Sequence, residues 1–191
     1  MIRRTLLALA AVAGLATGAL AQSGDDTLVI EVDGATKGTV EIALRPDLAP
    51  QHVARIKELA RAGAYDGVVF HRVIDGFMAQ TGDVAYGKRD TVAQGRAGTG
   101  GSDLPDLPAE FSGQHFEKGT VGMARAMDPD SANSQFFIMF APAPNLDGQY
   151  TIVGEVVAGQ DVVDAIKKGG GANGEVADPD WMATVRVKGD R

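Results

Sequence analysis

The chain has 191 residues, 45% of them apolar and 23% charged, with a formal net charge of −7 at pH 7, a profile that suits one soluble globular domain. It contains no cysteine, which excludes thiol catalysis, a redox role and thiolate metal sites; an acidic balance without a basic run argues against a nucleic-acid or anionic-membrane binder. Its 25 glycines point to many tight turns and so to a β-rich fold rather than a helix bundle.

Residues 1–21 read as an export leader. Arg3 and Arg4 form a positive n-region, an apolar run follows from Leu6 to about Leu15, and Ala19-Leu20-Ala21 has the small-x-small form of a cleavage site. The run is too short to span a bilayer, which takes roughly 20 apolar residues. Cleavage would leave a domain over 22–191, Gln22 to Arg191. With Arg3 and Arg4 gone, Lys+Arg falls from 18 to 16 against 25 Asp+Glu, and the charge moves from −7 to −9.

In chain order, alternation predicts strands at Leu28–Val32 and Val40–Leu44 about an Asp33-Gly34 turn. Leu48, Ile56, Leu59, Ala60 and Gly63 then fall on one helical stripe, which predicts a helix within Arg45–Gly63 with Asp47 as N-cap and Pro50 in the first turn. Strand patterns return at Val68–Val73, Phe77–Gln80, Thr120–Ala126, Gln135–Ala141, Tyr150–Val157 and Thr184–Lys188. A loop rich in Gly, Asp and Thr separates them at Tyr86–Pro108, and a short helix is expected at Gln160–Lys168. About eight strands and two helices suit a closed antiparallel barrel, although periodicity alone leaves barrel against sandwich open.

Several motifs fail on inspection. Gly169-Gly170-Gly171-Ala172-Asn173-Gly174 has the letters of a dinucleotide fingerprint, but it follows a helix and opens none, so it reads as a flexible loop. Gly98-Thr99-Gly100-Gly101 lacks the lysine of a phosphate loop and reads as a turn. The three histidines, His52, His71 and His115, have no second ligand at metal spacing, and no G-x-S-x-G elbow supports a serine hydrolase.

Two segments differ from ordinary core. Phe70-His71-Arg72-Val73-Ile74-Asp75-Gly76-Phe77-Met78-Ala79-Gln80-Thr81-Gly82-Asp83 sets Arg72 and Gln80 among large apolar groups, and Ser134-Gln135-Phe136-Phe137-Ile138 sets Gln135 before an aromatic pair. They resemble the two signatures of the cyclophilins. Gly98-Thr99-Gly100-Gly101, Glu110-Phe111, Gly119–Ala126, Leu146-Asp147-Gly148 and Val153–Val157 resemble further family elements in the family's order, so the resemblance covers roughly Leu28 to Lys168.

The resemblance implies an eight-stranded closed antiparallel β-barrel capped by two α-helices, with a groove on its outside, and peptidyl-prolyl cis-trans isomerase activity. It makes Arg72 the catalyst, with Gln80 holding it or a substrate carbonyl. Phe77, Met78, Phe137 and Leu146 would seat the proline ring, with Tyr150 nearby. Ala124, Arg125 and Ala126 would offer backbone to the peptide and Gln135 would line the adjoining groove. No cofactor or metal is implied; the partners would be proline-containing segments of unfolded or flexible proteins, met by an exported, periplasmic monomer that assists their folding. Phe70, Phe136 and Ile138, alternating with groove residues, are expected inside the barrel, and His71 is expected buried and hydrogen-bonded. The sequence departs from the family at Asn145, where cyclophilins that bind cyclosporin tightly often have Trp, at Tyr150 (often His), at Arg125 (often Asn) and at Arg55-Ile56 (commonly Asn-Phe).

Overall fold

The computed structural model describes residues 24–92 and 95–190; the expected leader and its cleavage point lie outside the described residues. The strands are β1 (Thr27–Asp33), β2 (Gly38–Leu44), β3 (Val68–Val69), β4 (Arg72–Ile74), β5 (Met78–Thr81), β6 (Thr120–Met123), β7 (Phe136–Met139), β8 (Ile152–Ala158) and β9 (Trp181–Val187), with helices α1 (Pro50–Arg61) and α2 (Gln160–Ala165). All strand pairs are antiparallel, in the order β3-β9-β1-β2-β8-β6-β7-β5-β4.

The first and last strands in that order, β3 and β4, are separated in sequence only by Phe70 and His71. The sheet therefore curls round until its ends share one run of chain, which leaves few exposed edges. The single strand expected at Val68–Val73 is this run. It breaks because Phe70 N–H turns to Asp180 O (2.9 Å) while Val73 N–H bonds Gly174 O (2.7 Å), so its halves pair with different neighbours. With the two halves counted as one, the barrel has the eight strands expected.

Inside lies a core of aliphatic and aromatic side chains that includes Leu28, Ile30, Ile42, Phe70, Val121, Phe136, Ile138 and Val185, closed on one side by Val53, Ile56 and Leu59 of α1. Phe70, Phe136 and Ile138 are thus interior, as alternation required. A second apolar cluster, Met78, Phe116, Phe137, Met139, Ala143, Leu146 and Ile152, lies on the other face of the sheet. Gly122 permits this: a Cβ there would stand 2.6 Å from Phe137 Cζ and 2.7 Å from Phe116 Cε1, so only glycine lets the two rings stack against β6.

Three local expectations are corrected. Asp47 does not cap α1; its carboxylate is held by Arg45 (2.8 and 2.7 Å). The cap comes from far along the chain, where Glu110 accepts the N–H groups of Gln51 (3.2 Å) and His52 (3.1 Å) and the His52 Nδ1 contact (2.7 Å). Burial pushes the Glu110 carboxyl up, but the hydrogen bonds from His52 and Gln51 outweigh it and hold it below its usual value. Next, α2 stops at Ala165 rather than Lys168, because Ile166 turns to extended backbone (ψ 132°). Finally, the glycine-rich run at 169–174 is not a loose loop: Gly169 N–H bonds Val73 O (2.9 Å), and Gly174 O takes the Val73 N–H, which fastens the run to β4.

Candidate active site

Antiparallel pairing builds the site. β4 and β5 align Arg72 with Gln80, and β5 and β7 align Gln80 with Phe137, so residues far apart in sequence share one outer face. Phe77, Met78 and Phe137 form an apolar floor with Leu146, which the 3-10 turn Pro144–Leu146 brings in. Phe116 stacks on Phe137 (centroids 5.8 Å, 19°) and Tyr150 meets it edge-on (5.7 Å, 87°). Together Arg72, Phe77, Met78, Gln80, Ala124, Arg125, Phe137, Leu146 and Tyr150 line a pocket of about 170 Å³.

Arg72 is partly buried at its wall, and among the described residues it makes no ion pair. Its Nη1 donates to Gln80 Oε1 (3.0 Å) and its Nε to Asn173 O (3.0 Å). Gln80 Nε2 passes the chain on to Gln135 Oε1 (2.9 Å), and Gln135 Nε2 donates to Gly98 O (3.1 Å) and Gly100 O (2.7 Å). The loop at the end of this relay is pinned by the buried Asp83, whose Oδ2 accepts Gly98 N–H (2.8 Å) and Gly100 N–H (2.9 Å). Neutral partners thus fix the guanidinium without cancelling its charge, and three of its five N–H groups stay uncommitted.

Nine of the eleven residues picked out in the sequence meet in that pocket. The other two, Gln135 and Ala126, line an adjoining cavity of about 510 Å³ with Gln80, Ala124, Arg125 and the 98–102 loop. The backbone offered by Ala124–Ala126 is narrower than expected: Ala124 N–H is spent on Gln135 O (2.9 Å) and Ala126 N–H on Ser131 Oγ (2.9 Å). That leaves the N–H of Arg125 without an intramolecular bond among the described residues.

His71 is buried, as expected, but among the described residues neither ring nitrogen has a hydrogen-bond partner. The polar groups near it are engaged elsewhere, Gln135 Nε2 with the loop and Val69 O with Thr81 Oγ1 (2.9 Å). Its ring lies against Gly98, where a Cβ would come within 2.9 Å of Cδ2. Burial drives its pKa down to about 4; the ring is a neutral spacer beside Arg72.

Sequence reasoning missed Asn173, whose carbonyl holds Arg72, and Asp83, which fixes the loop beneath Gln135. A carbonyl leaves no signature in residue type; for Asp83 the signal was present, since it ends the first signature motif.

The family model "Cyclophilin type peptidyl-prolyl cis-trans isomerase/CLD" matches residues 27–187. The chain is 54% identical to a protein of Brucella suis biovar 1 (strain 1330) named "Probable peptidyl-prolyl cis-trans isomerase", over 98% of this chain and 97% of that protein. It is 36% identical to peptidyl-prolyl cis-trans isomerase B of Bacillus subtilis (strain 168), over 78% of this chain and 91% of that one. The solved structure of cyclophilin AquaCyp293 from Hirschia baltica superposes with a TM-score of 0.74 at 27% identity, covering 88% of this chain and 76% of that one. The fold also matches a Cryptosporidium parvum cyclophilin crystallised with the dipeptide Ala-Pro (TM-score 0.71, 22% identity).

The chain belongs to the cyclophilin-type peptidyl-prolyl cis-trans isomerases. It is an isomerase enzyme.

Proposed function

We propose that this isomerase works by placing the Arg72 guanidinium beside the prolyl nitrogen of a peptide whose ring sits on Phe77, Met78, Phe137 and Leu146. Amide resonance sets a rotation barrier of about 18–20 kcal/mol. In the twisted state the nitrogen has lost conjugation and regained a lone pair, which a fixed donor and cation stabilises more than it does the planar ground state. No bond forms or breaks. Gln80 holds Arg72 in place, Gln135 holds Gln80, and Arg125 offers its backbone N–H to the peptide. The observation that carries this reading is an arginine that has no carboxylate partner among the described residues and is tied by neutral groups at the wall of an apolar pocket of about 170 Å³.

The clients in this reading are newly exported proteins whose slow folding step is an X-Pro bond, met in the periplasm after removal of residues 1–21, by a monomer. The composition of Arg3–Ala21 supports export, and among the described residues no helix is long and apolar enough to cross a membrane.

Refolding of a protein with a proline-limited slow phase tests the enzyme against a holdase that uses the same groove. Substoichiometric acceleration of the slow phase is expected; protection only at stoichiometric amounts, with the rate unchanged, contradicts it. Mass spectrometry of protein from the natural host should find a start at Gln22, and an intact Met1 overturns export.

A further inference from the structure

The whole protein is acidic, yet the pocket that takes the proline is lined by two arginines and no carboxylate. Arg72 is one. The other, Arg125, spans the pocket's mouth: Nε and Nη2 donate to Gln149 O (3.2 and 3.0 Å), and Nη1 to Ala126 O (2.9 Å) and Met127 O (3.3 Å). Its guanidinium carbon lies 4.5 Å above the Tyr150 ring, which itself stands against Phe137. These partners are carbonyls and a π-face. They fix the guanidinium but cannot neutralise it, and among the described residues neither arginine has an ion pair.

Glu175 lines a separate cavity beside Arg72, and Asp106 lines the adjoining cavity that Arg125 shares, where Asn133 Nδ2 donates to it (2.8 Å); the proline pocket itself has no carboxylate in its lining. Two uncompensated cations beside a low-dielectric aromatic wall focus a positive field on the mouth of the groove. Arg125 lines both the proline pocket and the adjoining cavity, so it faces the residue next to the proline as well as the ring.

We infer that Arg125 is a specificity-determining residue, which makes the enzyme prefer X-Pro segments with an acidic residue flanking the proline. This rests on the groove being the isomerase site. A carboxylate there meets a guanidinium already held in position, so little side-chain entropy is lost on pairing. A flanking Lys meets the same charge as a repulsion.

The test is kcat/KM by NMR exchange on one proline peptide carrying Glu, Gln or Lys on either side of the proline, at low and high salt. For a partly exposed pair the Glu form should exceed the Gln form by about three- to tenfold at low salt on at least one side, with Lys below Gln, and salt should shrink the ratio. In Arg125→Gln the Glu:Gln ratio should fall to about one whatever the absolute rate does, and Arg125→Lys should keep most of it. A ratio of one in the wild type, or a ratio that survives Arg125→Gln or high salt, overturns the inference while leaving the isomerase intact. Should Arg125→Gln fail to fold, Arg125→Lys and the wild-type salt dependence decide it. Wild-type protein that turns over none of the peptides contradicts the isomerase reading itself and this inference with it.

Discussion

The two faces of the sheet come from the same strands but meet different fates. Along β7, Phe136 and Ile138 enter the barrel, where Phe136 meets Tyr65 edge-on (5.7 Å, 88°), while Phe137 and Met139 join the outer cluster. The interior is closed all round. The outer cluster packs Phe137 against Phe116 and Tyr150, and Phe137 and Leu146 also line a pocket that Arg72 and Gln80 share. Period-two alternation thus sends one strand's side chains both to the core and to the proposed binding groove, and neighbouring residues should fail in different ways when changed.

The sharpest contrast is between adjacent phenylalanines. Phe136→Ala leaves a void in the closed core and should cost about 3–5 kcal/mol of stability in denaturant unfolding. Phe137→Ala should cost less, because water can enter its site from the groove, yet it should weaken proline-peptide binding by about tenfold, roughly 1.4 kcal/mol. Equal losses of stability with binding intact in both would mean that the two faces are not functionally distinct.

His71 marks the seam between the faces, and its burial has a pH signature. Its native pKa is depressed to about 4 from 6.5, so below pH 6.5 the unfolded chain takes up the proton that the folded one refuses. Stability should fall as pH drops from about 6.5 to 4, by up to about 3 kcal/mol, and this contribution should level off below. Urea unfolding across that range, compared with His71→Asn, measures it. A flatter slope is expected in the variant, and an NMR titration of His71 near 6.5 would refute the burial argument.

The smallest effect concerns the rim. Asn145 is exposed on the turn that delivers Leu146 to the pocket. Cyclosporin, whose tight binding in the family draws on an indole at this position, should inhibit weakly; Asn145→Trp should tighten it by adding apolar area and an N–H donor, with peptide turnover little altered. Tight inhibition of the wild type would show that this position does not control it.

Much of this arrangement was legible in the sequence, and the physics explains the division. The strands β1 and β2 could be read because a face turned to the core puts a large apolar residue at every second position, Leu28, Ile30 and Val32 in one and Val40, Ile42 and Leu44 in the other; β7 is instead an unbroken apolar run, buried on both faces. Arg72, Gln80 and Phe137 are singled out by the resemblance of their two motifs to the cyclophilin signatures, since an arginine or a phenylalanine taken alone has commoner structural uses. The helix cap could not: Glu110 reaches Gln51 across 59 residues, while Asp47 looked suitable locally and was already taken by Arg45. The carbonyls of Asn173, Gly98, Gly100 and Gln149 were equally silent, since every residue type has one. The interruption of the strand at Phe70–His71 arises because its two halves take different partners, Asp180 O on one side and Gly174 O on the other, which only the folded chain reveals.

The central claim is that Arg72 catalyses and the apolar seat only binds, and one variant separates the two. Arg72→Ala should fold with nearly wild-type stability, because its side chain is held at the edge of an open groove by two hydrogen bonds to neutral groups. Proline-peptide binding should weaken modestly. Isomerisation, measured on the same sample by NMR exchange, should slow by about 10²–10³-fold, the range for loss of one preorganised charge-stabilising donor. A folded Arg72→Ala protein that isomerises at the wild-type rate would contradict the account.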